Sequence, residues 1–228
     1  MKITLIKLSE SNAFLVQGQK AILVDTGTPK DVGKILKALR DAGLTPEDLS
    51  LIVLTHGHGD HAGGLSGLRR TLKVPVVAGK RDTPILQKGQ NGKLTPLSLL
   101  GKTLKKHYEA FAWPAALADL TIDAPMDLSP YGVAGKILPT PGHTAGSLSV
   151  LLENGEAIIG DLLSGGFLGG MFFPSKPTLP VFAEDQRALL QNTKELLDQG
   201  ARVFYVGHGG PLHHPRVARW LNQAVRQQ

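Results

Sequence analysis

The sequence predicts a single mixed α/β domain, and two observations carry this prediction. Apolar runs too short to be helices are interspersed with stretches whose apolar residues recur at helical spacing. The length of 228 residues suits one large domain with a sizeable core, and a hydrophobic content of 42% is ordinary for a globular protein. We therefore treat residues 1–228 as one domain.

Short strands and an amphipathic helix are predicted for the first part of the chain. Turn-like residues separate three opening strands at 3–7, 13–16 and 21–24. A helix follows over 31–42, because Val32, Ile35 and Leu39 fall on one face and Gly43 closes it. The next elements are a strand, a helix and a strand at 51–54, about 63–72 and 74–78.

The second part of the chain is predicted to continue the same mixture. Strands are expected at 136–138, 148–152, 157–159 and 202–206. Helices are expected at 184–199, where four leucines share one face, and at 216–225.

Two segments between these elements are too distinctive to be simple connections. Residues 79–120 form an inserted segment with helical spacing over 94–118. It is either a lid, from which His107 or Tyr108 touches substrate, or a structural helix pair or oligomer contact. Residues 162–180 are rich in Gly, Phe and Met, which predicts a mobile apolar pocket wall or, alternatively, a loop folded onto the core.

The most informative motif is Thr55-His56-Gly57-His58-Gly59-Asp60-His61, which directly follows an apolar run. It places three of the eight histidines and one aspartate within six positions. Imidazole and carboxylate are ligands that divalent metals such as zinc prefer. A hydrophobic core does not ordinarily bury so many polar side chains side by side, because their desolvation costs free energy. The motif therefore predicts a metal site.

This motif resembles the signature of the metallo-β-lactamase-fold hydrolases. Four other stretches resemble the remaining family motifs, and they occur in family order from residue 25 to residue 208: Val24-Asp25-Thr26-Gly27, Pro141-Gly142-His143-Thr144-Ala145-Gly146-Ser147, Ile159-Gly160-Asp161 and Val206-Gly207-His208-Gly209-Gly210. The resemblance covers nearly the whole chain. It implies a four-layer αββα sandwich, with two sheets packed face to face and helices outside.

The resemblance also implies a ligand set for two divalent ions. One ion is held by His56, His58 and His143, the second by Asp60, His61 and His208, and Asp161 bridges both. We expect zinc, with iron or manganese as alternatives. We assign catalytic roles to Asp60, Asp161 and Asp25. Asp25 resembles a carboxylate that orients a ligand, although Asp-Thr-Gly-Thr-Pro is also compatible with a helix N-cap at that residue.

The implied reaction is hydrolysis by a metal-bridging hydroxide, a strong nucleophile at neutral pH. Relatives include lactonases, thioesterases, β-lactamases and phosphodiesterases, so the expected substrate is a small ester, lactone, thioester, β-lactam or phosphodiester. Many quorum-signal lactonases have a Tyr where this chain has Ser164. The alternative function is a mononuclear iron-dependent dioxygenase acting on a thiol-derived substrate.

Composition limits the partners and the location. The chain has no cysteine, which rules out disulfides and thiolate ligands. The net charge of +6 could favour anionic partners, but the basic residues are dispersed, which favours solvated helix faces. We expect a small-molecule substrate, no membrane partner and a cytoplasmic location, because the N-terminal apolar run is interrupted by polar residues. Nucleic acid is disfavoured without being excluded, and homo-oligomerisation is left open.

Overall fold

Two six-stranded sheets pack face to face in the computed structural model, which describes residues 1–226. The strands β1 to β14 span Lys2–Lys7, Asn12–Gln17, Ala21–Val24, Leu49–Val53, Val76–Gly79, Leu120–Ile122, Met126–Asp127, Gly135–Pro139, Leu148–Leu152, Glu156–Ile158, Ser164–Phe167, Phe172–Thr178, Val203–Tyr205 and Leu212–His213. The helices α1 to α7 span Val32–Asp41, Gly59–Ala62, Leu65–Leu68, Thr83–Lys88, Leu99–Ala110, Gln186–Asp198 and His214–Arg226. Within residues 1–226, no helix combines the length and apolar character needed to cross a bilayer.

The first sheet has the strand order β1-β2-β3-β4-β5-β6, and the second has the order β14-β13-β10-β9-β8-β7. The strands β3 to β6 are parallel, and so are β10 and β13. In β3, Ile22 pairs with Leu51 and Val24 with Val53 of β4. Parallel strands buried on both faces are apolar throughout, which explains the continuous apolar runs in the sequence.

The core has three layers, as expected for an αββα sandwich. Side chains such as Phe14, Ile22 and Val150 pack between the two sheets. Alternate residues of the first sheet, such as Leu23, pack outward against α1 and α3. The outer face of the second sheet packs with Leu189 and its neighbours under α6 and α7. The predicted fold class is therefore confirmed.

The helix predicted over 63–72 is too long. Within this range only α3 is helical, and the separate four-residue helix α2 precedes it. Gly64 N donates to Gly27 O over 2.8 Å, and a Cβ on Gly64 would lie 2.2 Å from Thr26 O. The chain thus approaches the backbone after β3 too closely for one continuous helix, and the glycines permit this approach.

The inserted segment contains less helix than its spacing suggests. Of residues 94–118, only α5 is helical, with Ser98 Oγ accepting from Gly101 N at its start. The rest is tied down by isolated bridges at Pro96 and Ala112. The segment also contains α4, which precedes the range in which helical spacing was recognised.

The glycine-rich segment 162–180 forms a β-hairpin rather than an irregular loop. The strands β11 and β12 are antiparallel, with a register shift between Gly165 and Phe167. The tip is not folded onto the core, because its large apolar side chains are exposed. They are Phe167, Leu168, Met171, Phe172 and Phe173. The alternative of a loop buried against the core is therefore wrong.

A close backbone contact joins the two halves of the molecule at Gly79, the last residue of β5. A Cβ at this position would lie 1.8 Å from Gly146 O, whereas a Cβ on Gly33 in α1 would meet nothing within 4 Å. We expect Gly79→Ala to lower the free energy of unfolding by about 1–3 kcal/mol through overpacking. Gly33→Ala, the matched control, should raise it by about 0.5–1 kcal/mol through better helix propensity. Urea denaturation measures the free energy of unfolding of both variants. If Gly79→Ala raised it, as Gly33→Ala is expected to do, the tight contact at Gly79 would be contradicted.

Candidate metal centre

The candidate ligands all lie at one edge of the two sheets, where strands end. Asp25 follows β3, and the segment 55–61 follows β4, its parallel neighbour. His143 lies in the connection between β8 and β9, Asp161 follows β10, and His208 follows β13. Strand ends are rigid, so the loops that follow them hold side chains at fixed distances.

The structure brings these side chains together in three overlapping groups. Within each group, the candidate ligand atoms lie within 4.8 Å of one another. The first, which we call the three-histidine group, consists of His56, His58 and His143. The second, which we call the Asp60 group, consists of Asp60, His61 and His208. The third consists of His56, His61 and Asp161.

Asp161 lies between the three-histidine group and the Asp60 group. Its Oδ1 lies 3.4 Å from His61 Nε2, and its Oδ2 lies 3.2 Å from His208 Nε2. The same Oδ2 is 3.9 Å from His143 Nε2. A carboxylate at this position can contact a cation at either group.

Several buried atoms at this centre have no hydrogen-bond partner in the described residues. They are His56 Nε2, His61 Nε2 and Asp161 Oδ1. In addition, His143 Nε2 and His58 Nδ1 face each other at 3.0 Å. An unsatisfied buried polar group costs about 1–3 kcal/mol, and such groups in a native protein require an explanation. A divalent cation explains them, because it accepts lone pairs from several such atoms at once, so the residues fit a metal.

The three-histidine group is electrostatically neutral. Burial lowers the pKa of His58 to about 3, and the neighbouring imidazole of His143 acts in the same direction. Burial also holds the pKa of His56 well below its usual range and lowers that of His143. Because only the neutral imidazole has a free lone pair, these side chains are ready to bind metal at neutral pH.

The Asp60 group behaves in the opposite way. Burial acts to lower the pKa of His61, but the carboxylates of Asp60, Asp161 and Asp25 outweigh it and raise this pKa to about 9. The pKa of His208 is raised well above its usual range, against the effect of burial, by Asp161 and Asp60. This group therefore favours a positive charge, which a divalent cation supplies more strongly than a proton.

Asp25 orients one candidate ligand from behind. Its carboxylate accepts hydrogen bonds from Thr55 N and Thr55 Oγ1, each over 2.7 Å, and from His61 Nδ1 over 2.8 Å. This contact leaves His61 Nε2 facing the centre. The N-cap alternative for Asp25 is wrong, because Thr28 caps the 3₁₀ turn that follows.

The inserted segment packs against the metal loop. Gly59 N donates to Asn91 Oδ1 over 2.9 Å, and Asn91 Nδ2 donates to Tyr108 O in α5 over 2.8 Å. The rings of Phe111 and Trp113 lie so close to Gly59 that a Cβ there would be 2.6 and 2.4 Å from them. The end of α5 is thereby held beside the centre.

The hairpin flanks the centre as well. Gly165 N donates to His208 O over 2.7 Å. At the tip, a Cβ on Gly170 would lie 2.3 Å from the Cα of Gly209. Two bulky tip residues, Leu168 and Phe173, have positive φ angles of 50° and 52°. Such conformations are unfavourable for bulky side chains and occur mostly where function requires them.

Two polar residues beside the centre were missed by the sequence analysis. Asp82, near the end of β5, accepts hydrogen bonds from the loops that carry His58 and His143. Asn12, the first residue of β2, donates to the loop that carries His208. Asp82 had an available signal, since it is an acidic residue just beyond a strand parallel to β4. Nothing in the sequence around Asn12 indicates its contact, which spans almost the whole chain.

Comparisons with known proteins agree with this geometry. The sequence model of the family described as the Metallo-beta-lactamase superfamily matches residues 6–208. An uncharacterized Bacillus subtilis protein, YobT, is 30% identical, covering 95% of this chain and 89% of that protein. A Methanocaldococcus jannaschii protein described as a probable metallo-hydrolase is 28% identical and covers 87% of both chains.

Solved structures show the same fold. The subclass B3 metallo-beta-lactamase BJP-1 of Bradyrhizobium japonicum superimposes with a TM-score of 0.64 at 21% identity, covering 99% of this chain and 90% of that one. A Cronobacter sakazakii metallo-beta-lactamase gives a TM-score of 0.68 at 19% identity, covering 99% and 89%. At these identities the likeness concerns the fold and not the substrate.

The geometry ranks the two buried carboxylates by their effect on metal binding. Asp25→Asn weakens the support behind His61 and should lower metal affinity about 10–100-fold. Asp161→Ala should lower it further, because Asp161 contacts both groups and the change removes a negative charge from among their imidazoles. Metal retained after dialysis against a chelator measures both. Equal metal loss from the two variants would contradict this ranking.

Proposed function

This chain belongs to the metallo-beta-lactamase superfamily and is a metal-dependent hydrolase, and we propose that it works with two divalent cations, zinc in the first instance. The proposed substrate is a small ester, lactone, thioester, β-lactam or phosphodiester. The observation that carries this proposal is the pair of ligand groups with Asp161 between them. His56, His58 and His143 would hold one cation, and Asp60, His61 and His208 the other.

The protein's contribution to the reaction follows from the contacts around the centre. When bound, two divalent cations supply a nucleophile at neutral pH and polarise the substrate's carbonyl or phosphoryl oxygen. Asp25 keeps the imidazole of His61 aligned through Nδ1. A further candidate is Tyr108 in α5, a phenol that is protonated at neutral pH and that we propose donates to a substrate oxygen.

The walls of the site suggest an apolar portion in the substrate. The hairpin tip lies beside Gly209 and carries exposed side chains, of which Met171 is 74% and Phe173 71% exposed. Exposed apolar clusters mark binding surfaces more often than isolated exposed residues do. We propose that the tip contacts the substrate.

One specific observation supports a second candidate function. His56, His61 and Asp161 form a group of two imidazoles and one carboxylate. That donor set is typical of non-heme iron(II) oxygenases. A mononuclear iron dioxygenase using dioxygen and a thiol-derived substrate therefore stays as the alternative.

Metal stoichiometry separates the two functions. We expect purified protein, stripped with a chelator and then resupplied, to take up two zinc ions per chain and to regain hydrolytic activity. Elemental analysis, combined with panels of lactone, thioester, β-lactam and bis-nitrophenyl phosphate substrates, measures both. One iron per chain with full activity would sink the dinuclear proposal and favour the dioxygenase.

The proposed contact between the hairpin and the substrate predicts a change in KM without a change in Tm. Phe173→Ala should raise KM about 10-fold, the equivalent of about 1.4 kcal/mol of lost apolar contact. Metal content and Tm should hardly change, because the side chain is exposed. Val225→Ala, at a residue of α7 that is also exposed, at 55%, is the control and should leave KM unaltered. A large loss of Tm with unchanged kinetics would show that Phe173 is structural.

A further inference from the structure

We infer that each of the two metal positions has its own positioning residue, Asp82 for the three-histidine group and Asn12 for the Asp60 group. Neither residue contributes a ligand atom to the groups described above. Each one acts on the backbone of the loops that carry the ligands. The inference rests on the proposed dinuclear function and extends it to residues outside the ligand set.

Asp82 ties together the two loops of the three-histidine group. It ends a 3₁₀ turn that follows β5, and only 1% of its surface is exposed. Its Oδ2 accepts from Gly57 N over 2.7 Å, and Gly57 lies between His56 and His58. The same oxygen accepts from Thr144 Oγ1 over 2.8 Å, next to His143.

The other oxygen of Asp82 completes this link. Its Oδ1 accepts from Gly146 N over 2.9 Å, and a Cβ on Gly146 would lie 2.5 Å from that oxygen. Three hydrogen bonds offset part of the penalty of burying this carboxylate, although burial still raises its pKa. Because the bonds come from two loops that are distant in sequence, they fix the separation of the imidazoles those loops carry.

Asn12 performs the corresponding task at the Asp60 group. Its side-chain amide donates to Val206 O over 2.9 Å and to Gly209 O over 3.0 Å, on either side of His208. Its backbone N donates to Gly207 O over 2.7 Å. The preceding residue, Ser11, donates its hydroxyl to Asp60 O. The turn before β2 therefore holds both the Asp60 and the His208 backbone.

The two devices are separate. Among the described residues, the Asp82 carboxylate is hydrogen-bonded to the loop of His143 and to Gly57, between His56 and His58, and the Asn12 side chain only to the loop of His208. Asp161, which contacts both groups, is hydrogen-bonded to neither residue. Because residues 55–61 carry ligands of both groups, a disturbance of either device should weaken its own metal position more than the other.

The test measures zinc affinity in two backgrounds that each retain one position. His208→Ala leaves the three-histidine group intact, and His143→Ala leaves the Asp60 group intact. In the His208→Ala background, Asp82→Asn should lower the zinc affinity about 10–100-fold, and Asn12→Ala should leave it unchanged. In the His143→Ala background the larger loss of affinity should come from Asn12→Ala. Competition with a chromophoric chelator gives each affinity.

Other outcomes overturn the inference in distinguishable ways. If both variants weaken zinc equally in both backgrounds, or neither weakens it, the residues are merely structural. If the unmodified protein takes up only one zinc, the dinuclear function fails and this inference fails with it. Should Asp82→Asn not fold, as judged by the Tm of the metal-free protein, Thr144→Val removes one of the three bonds. That milder change should lower affinity in the same background by a smaller factor, and no change there would overturn the role of Asp82.

Discussion

The metal centre is built on buried imidazoles and carboxylates that lack hydrogen-bond partners among residues 1–226. His56, His61 and Asp161 each present a buried atom without a hydrogen bond, and all of them lie at the same edge of the sandwich. Burying such a cluster lowers the free energy of unfolding unless a cation binds its imidazoles and carboxylates. The two sheets, the parallel strands and the tight glycine contact between them place these atoms within reach of one another.

The two halves of the centre differ in charge, and this difference follows from the local sequence. The three-histidine group is built from buried, neutral imidazoles that lower one another's pKa. The Asp60 group shares its space with carboxylates that raise the pKa of the neighbouring histidines. The Asp60 group is therefore the more negative of the two environments, and it favours a positive charge more strongly than the three-histidine group does.

Much of this architecture could be predicted from the sequence, because it is encoded by local patterns. The strand at Ala21–Val24 and the helix around Gln186–Asp198 follow from apolar periodicity alone, and the spacing within residues 55–61 identifies a metal loop. The failures occur where distant contacts decide. The helix expected over 63–72 is shorter than predicted, because Gly64 lies against Thr26 and donates to Gly27 O. The hairpin tip packs against Gly209, which is also distant in sequence. Likewise, no local pattern reveals that Asn12 contacts the loop of His208.

The order of the ligands along the chain has a consequence for biosynthesis. The loop after β4 emerges from the ribosome early, but the Asp60 group stays incomplete until His208 has been synthesised. Strand β10 pairs with β13 in parallel, so the second sheet also waits for the late part of the chain. Contacts of this separation in sequence form slowly, because loop closure must precede them. A nascent chain therefore exposes the histidines of residues 56–61 before the residues that complete either ligand group have been synthesised.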